Sequence, residues 1–189
     1  MATKAFGWRT TLAGVTGALM LAATGVQGHA EHGKGPESAV ASFVDRANES
    51  VGKATLDQGP QGTVIRVRVS GLEPGYKAIH LHNSGDCSDF KAGFKASGSH
   101  VTADGNRMHG LLNGKGPEAG DLPNVYVHKD GTLRAELYTS RISIDGSVGP
   151  RLLDKDGSAM VIHESADNHK DQPIGGAGSR VACGIIEAS

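Results

Sequence analysis

Hydrophobic and polar residues alternate most cleanly over residues 63–70, where Ile65, Val67 and Val69 are interleaved with Arg66, Arg68 and Ser70. A period of two marks a strand with one buried and one wetted face. The pattern recurs over 132–139, with Leu133, Ala135 and Leu137 set against Arg134, Glu136 and Tyr138. Residues 39–46 and 50–57 read as a pair of strands, and Gly59-Pro60-Gln61-Gly62 turns the chain into the next one. After a turn at Leu72-Glu73-Pro74-Gly75, residues 76–83 form a strand containing Ile79-His80-Leu81-His82. Further strands are expected at 124–127, 142–145, 158–163 and 180–186. Regular periodicity is lost over 84–123 and again over the Gly-rich stretch 164–179. About eight short strands with no amphipathic helix predict an all-β protein. Its expected architecture is an eight-stranded Greek-key β-sandwich or flattened barrel carrying two long functional loops.

Composition changes this picture at the N-terminus. Lys4 and Arg9 precede an uncharged apolar run over 12–26, and Gly28-His29-Ala30 offers small residues where a signal peptidase cuts. Residues 1–30 therefore read as a signal peptide, with the exact cut left open, and 31–38 as a flexible arm before a domain at 39–189. The mature 159 residues would hold 17 Lys and Arg against 20 Asp and Glu, a formal charge of −3. That balance argues against a nucleic-acid partner. Removal of the signal leaves no membrane segment, and the expected location is periplasmic or secreted. The two cysteines, Cys87 and Cys183, most simply form one disulfide in an exported protein. It would tie the loop after the 76–83 strand to the C-terminal strand.

The candidate chemistry lies in the histidines. Alternation puts His80 and His82 on one strand face, opposite Ile79 and Leu81, with the imidazoles roughly 7 Å apart at the backbone. His163 ends a later strand opposite Ile162, and His100, His109 and Asp121 sit in the long loop. Imidazole suits copper and zinc, and a carboxylate can complete a zinc site. No nucleophile elbow, phosphate loop or zinc-finger cysteine quartet is present. His29 and His32 belong to the arm, His128 reads as a surface histidine, and His169 and Lys170 as a solvated loop tip.

Two stretches carry a resemblance. Ala78-Ile-His-Leu-His-Asn-Ser-Gly-Asp-Cys87 and Gly175-Gly-Ala-Gly-Ser-Arg-Val-Ala-Cys-Gly-Ile-Ile186 look like the two signatures of the copper,zinc superoxide dismutases. The short spacing from His82 to Cys87 is similar to the bacterial periplasmic branch. The resemblance runs from about Ala39 to Ile186. It implies conversion of superoxide to O₂ and H₂O₂ by alternate reduction and oxidation of a His-bound copper. By position it implies four copper ligands, His80, His82, His100 and His163. His100 would be a catalytic imidazolate bridging to zinc, and His109 and Asp121 fall on zinc-ligand positions. Asp167 matches the carboxylate linking a copper-ligand to a zinc-ligand histidine, and Arg180 the arginine that attracts the anionic substrate. Cys87 and Cys183 match the family disulfide.

This chain departs from the pattern twice. Glu118 stands where the family has a third zinc histidine, and is either a ligand or a solvated loop residue. Val101 replaces an aromatic residue, for which looser packing is expected. Two other readings of the scaffold stay open: an exported non-enzymatic copper-binding or buffering protein, and an adhesion-type sandwich. The sequence leaves the oligomeric state open as well, a homodimer included.

Overall fold

The computed structural model describes residues 2, 3, 7 and 37–189. The expected signal peptide and the arm up to residue 36 lie outside the described residues. The strands are β1 (Ser38–Asp45), β2 (Ser50–Gly59), β3 (Gly62–Val69), β4 (Gly75–Lys77), β5 (Ile79–His82), β6 (Val125–Val127), β7 (Leu133–Thr139), β8 (Ala159–His163) and β9 (Arg180–Ala188). A curled antiparallel sheet runs in the order β5-β8-β9-β1-β2-β3-β7, and β4 pairs with β6 in a second, two-stranded sheet.

Alternation does what the sequence asks of it. In β3, Ile65, Val67 and Val69 are buried while Arg66 and Arg68 are exposed. Arg66 faces Glu136 across the ladder and is paired to both Asp57 and Glu136. The inner faces contribute Phe43, Leu56, Ile65, Leu81, Leu122, Leu133 and Met160 to the main core. Each fully buried side chain of this size contributes roughly 1.5–3 kcal/mol.

Two expected strands differ. Residues 76–83 form not one strand but two, because the chain changes partner at Ala78. On one side β4 pairs with β6, and on the other β5 pairs with β8. Ala78 bonds instead to the loop and strand end beyond, its N–H to the Ser165 carbonyl (2.8 Å) and its carbonyl to the His163 N–H (2.9 Å). Residues 142–145 make only an isolated bridge, between Ser143 and Arg151. Ile142 and Ile144 are nonetheless fully buried, so their apolar character closes the core without joining a ladder.

The long loop is ordered by what it touches. Two short 3₁₀ turns, Phe90–Ala92 and Lys95–Ser97, lie beneath the Cys87–Cys183 disulfide, whose Cα atoms are 5.8 Å apart. Cys87, Phe94, Ala159, Val161 and Cys183 form a second, smaller core on the outer face of β8. Phe94 is completely buried even though its backbone is left-handed, with φ of 56°. Farther on, the loop runs back along β5. Val101 N–H donates to the Leu81 carbonyl (2.9 Å) and Leu81 N–H to the Gly120 carbonyl (2.9 Å). Gly120 is required there, because a Cβ would overlap the Leu81 carbonyl oxygen. Val101 is 5% exposed and belongs to the main core.

Replacing Cys87 with Ser should cost about 2–5 kcal/mol of unfolding free energy, the usual cost of losing a native disulfide that closes a long loop. Denaturant titration of the metal-free protein measures it. Amide exchange over 88–98 should accelerate far more than exchange in β2 and β3.

Candidate metal centre

The loop's path along β5 assembles the site. Isolated bridges set His100 against His82 and Asp121 against His80. His163 arrives from β8, the strand paired with β5. The outer face of β5 is therefore not wet. All four of its residues are buried, Ile79 and Leu81 by the core and His80 and His82 by the loops.

Each of the four histidines uses one ring nitrogen to fix its orientation. His82 Nδ1 lies 3.0 Å from the Gly98 carbonyl and His163 Nδ1 lies 3.1 Å from the Gly178 carbonyl. A carbonyl can only accept, so both rings carry their proton on Nδ1 and a lone pair on Nε2. His80 is turned the other way. Its Nε2 donates to Asp167 Oδ2 at 3.1 Å, leaving the lone pair on Nδ1. His100 Nδ1 faces Asp121 Oδ1 and Glu118 Oε2, each at 3.0 Å. The atoms left over are His80 Nδ1, His82 Nε2, His100 Nε2 and His163 Nε2, all buried without a hydrogen-bond partner. The ligand atoms of these four residues lie within 4.8 Å of one another.

Buried polar atoms are normally paired. Four unpaired lone pairs converging in a dry pocket are the donor set of a transition-metal ion. The electrostatics agree. Burial lowers the His80 pKa to about 4 against the opposing bond to Asp167. Burial and repulsion from His80 take His163 to about 3. His82 is held well below its usual value by burial and by the charges of His100 and Arg180. These rings stay neutral, the form that binds metal.

Beside this set lies a second, sharing His100. His109 Nδ1 is 2.8 Å from Asp121 Oδ1, and Glu118 Oε2 is 3.0 Å from His100 Nδ1 and 3.9 Å from His109 Nδ1. Four ligands at about 2.0 Å from a tetrahedral ion are separated by about 3.3 Å. The imidazole-to-carboxylate separations among His100, His109, Glu118 and Asp121 run from 2.8 to 3.9 Å, on either side of that value. A second group with ligand atoms within 4.8 Å contains His80, His100, His109 and Asp121. The Nε2 of His80 is already taken by Asp167 and its Nδ1 belongs to the first set, which leaves Glu118 as the candidate fourth donor.

Asp167 ties the two sets together, bonding His80 Nε2 on one side and His109 Nε2 at 3.1 Å on the other. Its hold on both rings keeps its own carboxyl far below the usual range despite burial. Asn124 clamps its backbone from both directions, accepting from Asp167 N–H (2.9 Å) and donating to its carbonyl (2.8 Å). Gly175 has a φ of 60°, and a Cβ there would overlap Asp167 Oδ1. His169 is not a solvated tip. Its N–H donates to Asp167 Oδ1 (2.6 Å), and its ring Nδ1 lies 3.2 Å from Asp167 Oδ2. Lys170 is exposed, and so is His128, which packs its ring against Tyr126.

Arg180 pairs with His163 in the β8–β9 register. Its guanidinium donates to the carbonyls of Phe94 (2.6 Å) and Gly98 (2.7 Å) and to Ser97 Oγ (3.0 Å). No carboxylate among the described residues forms an ion pair with it, and Asp89 acts on it only at longer range. Gly98, Gly178, Asn124 and Gln172 had no signal in the sequence. Two act through backbone carbonyls, and Gln172 by grasping the main chain of His109 at both its N–H and its carbonyl.

Comparison with known proteins agrees with this geometry. The sequence profile of the family described as copper/zinc superoxide dismutase matches residues 50–186. The Cu-Zn superoxide dismutase of Caulobacter vibrioides is 44% identical over 140 residues, covering 74% of this chain and 79% of that protein. The crystal structure of a superoxide dismutase-like protein from Bacillus subtilis superposes with a TM-score of 0.72 at 31% identity, over 77% of this chain and 96% of that one. The Cu/Zn superoxide dismutase from Brucella abortus superposes with a TM-score of 0.62 at 28% identity, over 80% of this chain and 100% of that one. On the strength of the profile and of relatives at this identity, the chain belongs to the copper/zinc superoxide dismutase family.

Proposed function

We infer that this protein is a superoxide dismutase: two superoxide anions and two protons give one O₂ and one H₂O₂. We assign copper to His80, His82, His100 and His163, and zinc to His100, His109, Asp121 and Glu118. The observation that carries the copper assignment is the convergence of four buried, partnerless imidazole nitrogens. When bound, copper supplies the one-electron couple that the reaction needs.

The chain's own residues do the rest. Gly98, Gly178 and Asp167 fix the tautomers and ring planes. His100 has one nitrogen in each donor set, so its Nε2, when free of metal, is a proton site facing the copper pocket. Arg180 holds a cation without an ion-pair partner near His82 and His163, and a net-acidic protein can still draw in an anion through such a local field. A copper-buffering protein would not need that cation, which favours the enzyme.

Export belongs to the same reading, with residues 1–30 as a signal peptide and the periplasm or exterior as the destination. The Cys87–Cys183 disulfide supports it, since such bonds persist in oxidising compartments. A homodimer belongs to the same reading, for which the exposed Tyr76 and Tyr126 on β4 and β6, packed edge to face, offer a surface. Neither nucleic acid nor membrane is a partner in this reading.

Metal content and superoxide removal measured on one oxidised sample test the assignment. His82→Ala should lose copper and activity together, and activity without His82 would refute the site. Glu118→Gln should keep copper while weakening zinc by about tenfold or more. Unchanged zinc would return Glu118 to solvent.

The two sets should also respond unequally to acid. Burial alone would lower the His109 pKa, but its bonds to Asp121 and Asp167 raise it to about 9, and Asp121 and Glu118 raise His100 in the same way. Between pH 5 and 8 the metal-free zinc side therefore holds protons that zinc must displace. Zinc affinity should fall about tenfold per pH unit for each displaced proton. Of the copper rings, His80, His82 and His163 are held neutral over that range, so on the copper side a proton has to be displaced only from the shared His100. Dialysis at pH 5 should remove zinc before copper, and pH-stat titration should record proton release on zinc uptake.

Arg180→Gln should retain copper yet lower kcat/KM by about 10-fold or more at low salt, the scale of electrostatic steering. It should flatten the decline of rate with ionic strength seen in the parent enzyme, which stopped-flow decay of superoxide reads directly.

A further inference from the structure

Behind the segment that carries Glu118, a cavity of about 220 Å³ opens between the loop 103–119 and the turns on either side of residues 142–148. Its lining includes Arg107, Ser140 and Arg141, with Ala103, Pro117 and Pro150 forming apolar walls. No carboxylate lines it. Two guanidinium groups and a hydroxyl at a small, otherwise uncharged cavity give it one sign of charge.

Arg141 is the unusual member. It is partly buried, yet it forms no ion pair with any carboxylate among the described residues. One terminal nitrogen donates to the Asp121 carbonyl at 2.8 Å. Its Nε is buried with no hydrogen-bond partner at all. A guanidinium has five N–H donors, and a buried one left unpaired costs about 1–3 kcal/mol or more. Arg107 stands at the rim, held by a 3.1 Å bond from one nitrogen to the Gly116 carbonyl, with its remaining donors uncommitted. Arginine forks match the paired oxygens of phosphate and related anions, and the hydroxyl of Ser140 can add a further donor.

We propose that this cavity binds a small tetrahedral oxyanion such as phosphate, held between Arg107 and Arg141. The anion would take up the uncommitted terminal donors of Arg107 and Arg141 and offset the two like charges that line the cavity. It would also bridge the loop that carries His109 and Glu118 to the strand end at Thr139, which the chain otherwise joins here through the single Arg141–Asp121 bond. The site is separate from Arg180, whose donors are spent on Phe94, Ser97 and Gly98.

Calorimetry of the metal-loaded protein with inorganic phosphate, at fixed ionic strength in a chloride background, tests this. One saturable phosphate per chain is expected. The exposed Arg107→Gln should weaken it at least tenfold. Ser140→Asp, which offers the two arginines an internal carboxylate, should abolish it and raise the melting temperature in phosphate-free buffer. Arg180→Gln should leave the binding unchanged. Absence of saturable binding, or binding indifferent to Arg107, overturns the proposal. Binding lost in Arg180→Gln overturns it too, by assigning the phosphate to the copper entrance.

Discussion

An imidazole has two nitrogens, and the architecture around the metal centre depends on giving each of them a different fate. One is tied to a fixed acceptor and the other is left facing a dry space. The three acceptors that set the copper-side rings are the Gly98 and Gly178 carbonyls and the Asp167 carboxylate, all on loops rather than strands. An unpaired buried nitrogen costs about 1–3 kcal/mol, and four of them are gathered at one point. The fold tolerates that cost because the covering loop 84–123 is fastened twice, near its start by a disulfide and a buried Phe94 and farther on by backbone bonds to β5. Metal affinity is what such a cost is exchanged for.

The neighbouring set works by the opposite principle. There the ring nitrogens meet carboxylates instead of empty space, and His109 is flanked by one on each side. Before metal arrives, protons fill the place of the cation. Glu118 in the position of a histidine adds one more negative charge to that balance. The two sets share His100 directly and Asp167 indirectly. Anything that alters the charge of one is felt by the ring orientation of the other.

Much of this was legible in the chain. A period of two in 63–70 and 132–139 gave β3 and β7 with the correct faces inward, because a half-wet strand must alternate. The same rule placed His80 and His82 on one face. It could not say that the face would be covered, since the cover comes from residues with no periodicity of their own. Ala78 hides a change of partner strand inside a continuous apolar pattern, and only the tertiary arrangement separates β4 from β5. Ile142 and Ile144 alternate like a strand yet serve as plugs, which short apolar runs do not distinguish. His169 was misread because a loop's polarity says nothing of what it folds against. The carbonyls of Gly98 and Gly178 left no trace, because a backbone oxygen has no letter in the sequence.

The Gly98 carbonyl has a second duty. The same oxygen accepts from His82 Nδ1 at 3.0 Å and from the Arg180 guanidinium at 2.7 Å. The ring assigned above to copper and the cation proposed to attract the anion thus hang from one atom, on a segment pinned by Cys87 eleven residues earlier. A displacement of that peptide moves both together and keeps the gap between them. The distance between the two is thereby set in part by a single peptide unit, with the Phe94 carbonyl and Ser97 Oγ holding the guanidinium from the same short turn.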